Sequence, residues 1–272
     1  MKTKVEIDGT RFLVNEKPTY RDISYAGKPV EGLLMNSRMI QAIFDDENPE
    51  TSQLWKHPDT GAWDPDRNTR EFCAQLPAYR SYGLLGVTVG LQGGGSIYAK
   101  DVYSTYRMSA IAEDGSLKTP YFDRLLSVLK AADEAGLVVI VNYFYWKQVE
   151  HITNDDAILL ATERITDWLL RTGYRNILID VANEAADWWK RPLCEPRNIH
   201  KLIDIVKQTS LNGRRLLVSS STGGDDQIPT ETWLAAEDFS LPHGNGCSPD
   251  QLRDKLRRIR NTSEYRKRPR PL

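Results

Sequence analysis

The chain has 272 residues, a formal net charge of −1, and 40% hydrophobic against 27% charged residues, proportions that suit one large globular domain with a substantial core. That balance gives no electrostatic reason to expect nucleic acid or an anionic membrane surface as a partner. No apolar stretch approaches the ~20 residues that span a bilayer, and the opening MKTKVEIDGTRF has no signal-peptide h-region.

The first element, VEIDGTRFLVNEKPTY, reads as a hairpin turning at Asp8-Gly9. Residues 1–29 are expected to form this hairpin and to floor a larger unit over 30–272. From residue 30 the chain repeats one pattern, an amphipathic helix, a glycine and a short apolar strand. Apolar strands are predicted near 34–43, 84–91, 137–144, 177–182, 216–220 and 238–241. The first helix, about 67–82, should kink or split at Pro77. The next, 120–135, has Thr119 as its cap, Pro120 in its first turn, and Phe122, Leu125, Leu126 and Leu129 on one face. A helix over 155–172 buries Ile158, Ile165, Trp168 and Leu169 and stops at Gly173. Another runs from Pro196 to Gly213. Ser248 and Gln251 form a capping box around Pro249 and open the last helix. The basic segment Arg253, Lys255, Arg257, Arg258, Arg260, Arg266, Lys267, Arg268 and Arg270 reads as a solvated helix face leading towards another strand.

Strands alternating with helices imply parallel strands joined by crossovers. A dinucleotide-binding sheet would carry GxGxxG after its first strand, and DDENPET stands there instead. The Gly93-Gly94-Gly95 run lacks the lysine and hydroxyl of a phosphate loop and reads as a flexible turn. A (β/α)8 TIM barrel is therefore expected. Only about six of its eight strands are found before EYRKRPRPL, which looks like the lead-in to a seventh. The expectation is a C-terminally incomplete barrel, short by on the order of 60 residues.

Catalytic groups of such a barrel sit at the C-terminal ends of its strands. Read in order, those ends give Arg38, Gln92, Asn142 with Tyr145 and Trp146, then Asn183-Glu184 with Trp188 and Trp189, then Ser219-Ser220-Ser221, and His243 with Asn245. Amides, Arg and His can bond sugar hydroxyls, and indole faces can stack on a pyranose. Glu184 follows the apolar run ILIDVA, so desolvation should raise its pKa and suit it to general-acid work on a glycosidic oxygen. A packing Glu paired with Arg38 or Lys147 is the bland alternative. Arg38 could equally pair with Asp180 inside the barrel.

IDVANEAADWW resembles the Asn-Glu signature that ends the fourth strand of clan A glycoside hydrolases, most like the family five, cellulase-like barrels. FLVNEKPTY is similar to their F-x-x-N-G-K-P entry segment, with Glu16 in place of the usual Gly. LPHGNG fits their habit of placing a His or Tyr beside the nucleophile. The resemblance implies that Glu184 is the acid/base and Asn183 a ligand of the sugar 2-hydroxyl. It also implies a nucleophilic Glu ending the seventh strand, beyond Leu272. It further implies retention of configuration, and little hydrolysis by this sequence alone. Candidate sugar-binding residues are Asn183, Arg38, Asn142, Tyr145, Trp146, Trp188, His243 and Asn245.

A metal-dependent barrel hydrolase would need clustered His and Asp, whereas His57, His151, His200 and His243 are scattered. No metal or cofactor is expected. Asp225-Asp226 reads as a solvated loop. Cys73, Cys194 and Cys247 are odd in number and far apart, so no disulfide framework is readable and a reducing, cytoplasmic setting is the default, with export left open. The remaining rival is a carbohydrate-binding barrel without turnover.

Overall fold

The structure, a computed structural model, describes residues 1–93 and 105–272; Gly94 and Gly95 of the expected glycine turn lie outside them. The chain opens on an antiparallel ribbon of β1 (Val5–Asp8), β2 (Arg11–Val14) and β3 (Lys17–Pro18). Asp8 faces Arg11, so Gly9 and Thr10 make the turn, one residue later than expected. A second small hairpin joins β4 (Ser24–Tyr25) to β5 (Lys28–Pro29).

The centre is a five-stranded, all-parallel sheet. Its strands are β6 (Asn36–Arg38), β7 (Gly86–Gly90), β8 (Val138–Phe144), β9 (Ile177–Ala182) and β10 (Leu217–Ser219), neighbours in chain order. Parallel neighbours need long crossovers. Helices α1 (Pro65–Ser81), α2 (Thr119–Ala135), α3 (Asp155–Thr172) and α4 (Ile199–Gln208) lie within them. Every residue of β8 and β9 is buried, as strands covered on both faces require. One face receives the helices: Phe122, Leu125 and Leu129 of α2, Ile158, Ile165 and Leu169 of α3, and Leu202 and Val206 of α4 join its main core. On the other face Val138, Ile140 and Leu178 meet Val5 and Phe12 of the ribbon and Phe239. Lys2 and Thr3 donate backbone N–H groups to Asp133 near the end of α2, and Val5 donates to Arg175 O. These bonds seat the ribbon at the N-terminal ends of β8 and β9.

Beyond β10 the chain forms β11 (Ser221–Thr222), α5 (Glu231–Ala236), β12 (Leu241–Pro242), α6 (Pro249–Asn261) and α7 (Ser263–Lys267). β11 pairs in parallel with β12, Asp238 N donates to Val218 O at 2.8 Å, and Ser240 N donates to Pro271 O at 2.9 Å. Among the described residues no pairing joins this end back to β6, so the sheet is open and no closed barrel is seen.

Several local expectations change. The 34–43 run gives only three strand residues; Ile40–Ile43 instead turns as a 3-10 segment that buries Ile40, Ala42 and Ile43. The expected sixth strand shrinks to Leu241–Pro242, where proline has no N–H to extend a ladder. α1 runs unbroken through Pro77. Lys118, not Thr119, holds the cap position of α2, with no side-chain bond. α4 starts at Ile199, later than expected. The capping box Ser248–Gln251 is present on α6. Lys255 and Arg270, read as solvated, are buried.

Candidate active site

β9 delivers the central group. Its buried run ends at Ala182, and Asn183 N donates back to Phe144 O of β8 at 3.0 Å. Glu184 then takes a left-handed backbone, φ 55°, which turns its side chain away from the sheet. Ser221 of β11 stabilises that turn from the neighbouring strand. Its Oγ accepts Glu184 N at 2.9 Å and its carbonyl accepts Ala185 N at 3.0 Å.

Two hydrogen-bond partners and one more distant cation converge on one carboxylate oxygen. His243 Nδ1 lies 2.8 Å from Glu184 Oε1, Asn245 Nδ2 donates to it at 2.6 Å, and Arg38 Nη1 stands 3.9 Å away. Burial by itself pushes the Glu184 pKa up, but the His243 hydrogen bond, the charges of His243 and Arg38, and the Asn245 amide outweigh it. The carboxyl is held below its ordinary value. The expected raised pKa is therefore reversed, because loop partners supply more stabilisation of the anion than the strand end withdraws.

Beneath these groups opens a cavity of about 290 Å³ on the inner face of the sheet. Arg38, Thr88, Asp180, Asn183 and His243 line its polar side, and Leu241, Leu252 and Leu256 are among its apolar walls. Asp180 is fully buried there. Ser221 N and Oγ donate to its two carboxylate oxygens at 2.9 and 3.0 Å. Desolvation nonetheless raises its pKa to about 6, against the pull of His243, the Ser221 bonds and Arg38. Arg38 thus faces Glu184 as its ion-pair partner, and its influence on Asp180 is a longer-range one.

The aromatic groups separate into two sets. Tyr145 sits against Gly93, whose φ is 89° and where an added Cβ would meet the ring at 2.5 Å; only glycine allows that approach. The Arg38 guanidinium stands 5.7 Å from the Tyr145 ring centre. Trp146 and Trp188 meet edge to face at 4.9 Å, and Trp188 is 57% exposed. Trp189, expected beside them, is instead fully buried in the core. Asn142 also departs from expectation. It is completely buried, donates to Asp180 O at 3.3 Å, and has no surface to offer a sugar.

The structure therefore brings Glu184, Asn183, Arg38, His243 and Asn245 together, with Tyr145 beside Arg38. It adds Ser221, which the strand-end pattern named without assigning it to the site, and Asp180, which the sequence offered only as a pairing partner for Arg38. Among the described residues no group of three His, Cys, Asp or Glu side chains could hold a metal ion.

Solved structures with this fold carry related names. The chain is similar to a putative glycoside hydrolase from Bacteroides vulgatus ATCC 8482, with TM-score 0.53 and 12% identity over 89% of this chain and 43% of that one. It is also similar to a β-1,4-D-mannanase from Cryptopygus antarcticus, with TM-score 0.52 and 8% identity over 89% of this chain and 71% of that one. A β-mannanase from the blue mussel Mytilus edulis matches with TM-score 0.51 and 10% identity over 92% and 79% of the two chains. The fold is glycoside-hydrolase-like. The chain spans 42% and 43% of the lengths of two of the glycoside hydrolases it matches. No family model matches the sequence, and no curated protein does. No helix among the described residues is long and apolar enough to cross a membrane.

Proposed function

We propose that the chain carries the acid/base site of a retaining glycosidase on a partial (β/α)8 barrel of the family five kind, floored by residues 1–29. Glu184 is the proton-exchanging group. The convergence of His243, Asn245 and Arg38 on Glu184 Oε1, at the rim of a polar cavity, carries this reading. A sugar bound over the cavity stacks on Trp188 and Trp146, and Asn183 bonds a hydroxyl at the cleavage point. Protonated Glu184 gives its proton to the glycosidic oxygen as the bond from the anomeric carbon to that oxygen breaks. The same carboxylate later takes a proton from water.

Attack on the anomeric carbon needs a second carboxylate roughly 5–5.5 Å from the first. Asp180 is the one carboxylate among the described lining residues, and Ser221 engages both its oxygens within the sheet. With that carboxylate engaged, the described site binds sugar and turns it over poorly. An added anion restores the step: azide attacks the anomeric carbon, the aglycone oxygen leaves, and Glu184 supplies the proton.

The test uses β-mannosides and β-glucosides with dinitrophenyl or alkyl leaving groups, with and without azide. Glycosyl azide should form, and Glu184→Gln should slow the alkyl glycosides by about 10²-fold or more while sparing the activated ones. Equal loss on both classes would make Glu184 a structural residue. A second reading, sugar binding without turnover, is favoured by the ionised state of Glu184. Binding with no azide-dependent cleavage on any substrate would support it.

A further inference from the structure

We propose that Lys255 is a positioning residue for the Glu184 site, a buried cation that clamps together the two loops from which Glu184 draws its partners. Lys255 lies on α6 and is 2% exposed. Its Nζ donates to three carbonyls: Gly223 at 2.5 Å, Asp225 at 2.9 Å and His243 at 3.0 Å. Among the described residues it makes no ion pair. The first two carbonyls belong to the loop after β11, whose Gln227 Nε2 donates to Ala185 O at 2.8 Å, directly behind Glu184. The third belongs to His243 itself.

These loops touch backbone to backbone. A Cβ on Gly224 would lie 2.5 Å from Asn245 O and 2.6 Å from Asn245 N, and Cys247 Sγ reaches Gly224 O at 2.6 Å. His243 and Asn245 therefore approach Glu184 from a segment whose path is set by its seam with Gly223–Asp225. One ammonium, bonded to three carbonyls, ties that seam alongside the Cys247 contact.

Burying an ammonium is a poor route to stability, because its desolvation cost is several kcal/mol and an apolar side chain of equal length avoids it. What a methionine could not supply is a point charge that draws three carbonyls to one spot. The titratable and charged groups around Lys255 are Asp225, Asp226, Cys247 and Glu184, with Asp226 already paired to Arg258. Its positive charge thus also acts on Glu184. The clamp rests on Glu184 being the functional group, and its test is independent of turnover.

The experiment follows the Glu184 carboxyl by ¹³C NMR titration, assigned with Glu184→Gln, in the parent chain and in Lys255→Met. Loosening His243 and Asn245 and removing the charge should raise the Glu184 midpoint by about one pH unit. The same change should speed amide exchange across 223–227 and 243–247. If Lys255→Met does not fold, Lys255→Gln is titrated in the same way with the same expectation. An unmoved midpoint in a folded variant that has lost only thermal stability would overturn the proposal. A moved midpoint alongside an Glu184→Gln variant that cleaves all glycosides normally would sink the glycosidase reading and leave the clamp standing.

Discussion

Glu184 holds a backbone conformation that non-glycine residues adopt at a cost of about 1 kcal/mol or more, and Ser221 offsets it by bonding both Glu184 N and Ala185 N. The gain is direction. The side chain leaves the sheet where His243 and Asn245 can reach it, and the His243 contact is the strongest of the influences that keep it ionised. Replacing His243 with Leu removes a hydrogen bond and a charge that both favour the carboxylate, leaving burial less opposed. The Glu184 midpoint should rise towards or above the ordinary carboxylate value, seen by ¹³C titration. A midpoint that stays low would assign the control to Arg38 and Asn245. The position of Glu184 is legible in the sequence, since an apolar run ending in Asn-Glu marks a strand terminus. Its protonation state is not legible, because the decisive partners lie 59 and 61 residues away along the chain. Asn142 and Trp189 mislead for a related reason. Residue type says what can bond a sugar, while burial, a property of the assembled sheet, decides what is offered to one.

At the scale of elements, period is what the sequence displays well. The long helices follow their 3.6-residue apolar spacing, and their glycine stops at Gly136 and Gly173 adopt the left-handed cap. β8 and β9 follow from largely apolar runs, each broken by a single polar residue, Asn142 and Asp180. Short elements are harder, because a run such as 34–43 offers the same apolar residues to a strand and to a 3-10 turn. Packing of Ile40 against Gly90, where an added Cβ would lie 3.1 Å from it, settles the matter. Lys255 is the costliest misreading, since a lysine among arginines on a basic helix gives no local sign of three carbonyls waiting elsewhere. Pro77 makes a direct prediction. It is exposed inside a continuous 17-residue helix, lacking one N–H and crowding the preceding turn. Pro77→Ala should stabilise the chain by about 1–3 kcal/mol in urea unfolding; no gain would mean that α1 bends there and that the bend is used in packing.

For the molecule as a whole, two fully buried carboxyls make stability depend on pH in an unusual direction. Desolvation raises Asp180 from an ordinary 3.8 to about 6. It raises Glu237 from 4.5 to about 7, against the Ser240 bond, Arg270 and Ser219. Glu237 holds the end of the chain: its carboxylate stands 3.6 Å from buried Arg270, and Ser219 Oγ donates to it at 2.9 Å. In each case the folded state binds the proton more tightly than the unfolded state. Stability from these groups is therefore full below about pH 4 and is lost as pH rises through about 6 and about 7. Each group is worth on the order of 3 kcal/mol at most. Glu184 has the opposite sign, since its lowered pKa contributes stability above its unfolded value and loses it as pH falls. The Glu184 gain is complete just above its unfolded value and the other two losses begin there, so the three groups place the maximum at about pH 4, with a decline that runs to about pH 7. Urea unfolding at pH 5 and pH 8 should show that decline at constant m-value, and Asp180→Asn together with Glu237→Gln should flatten it. If the parent chain is equally stable at both pH values, the two carboxyls are reached by water, and the sheet is looser at its C-terminal end than its packing indicates.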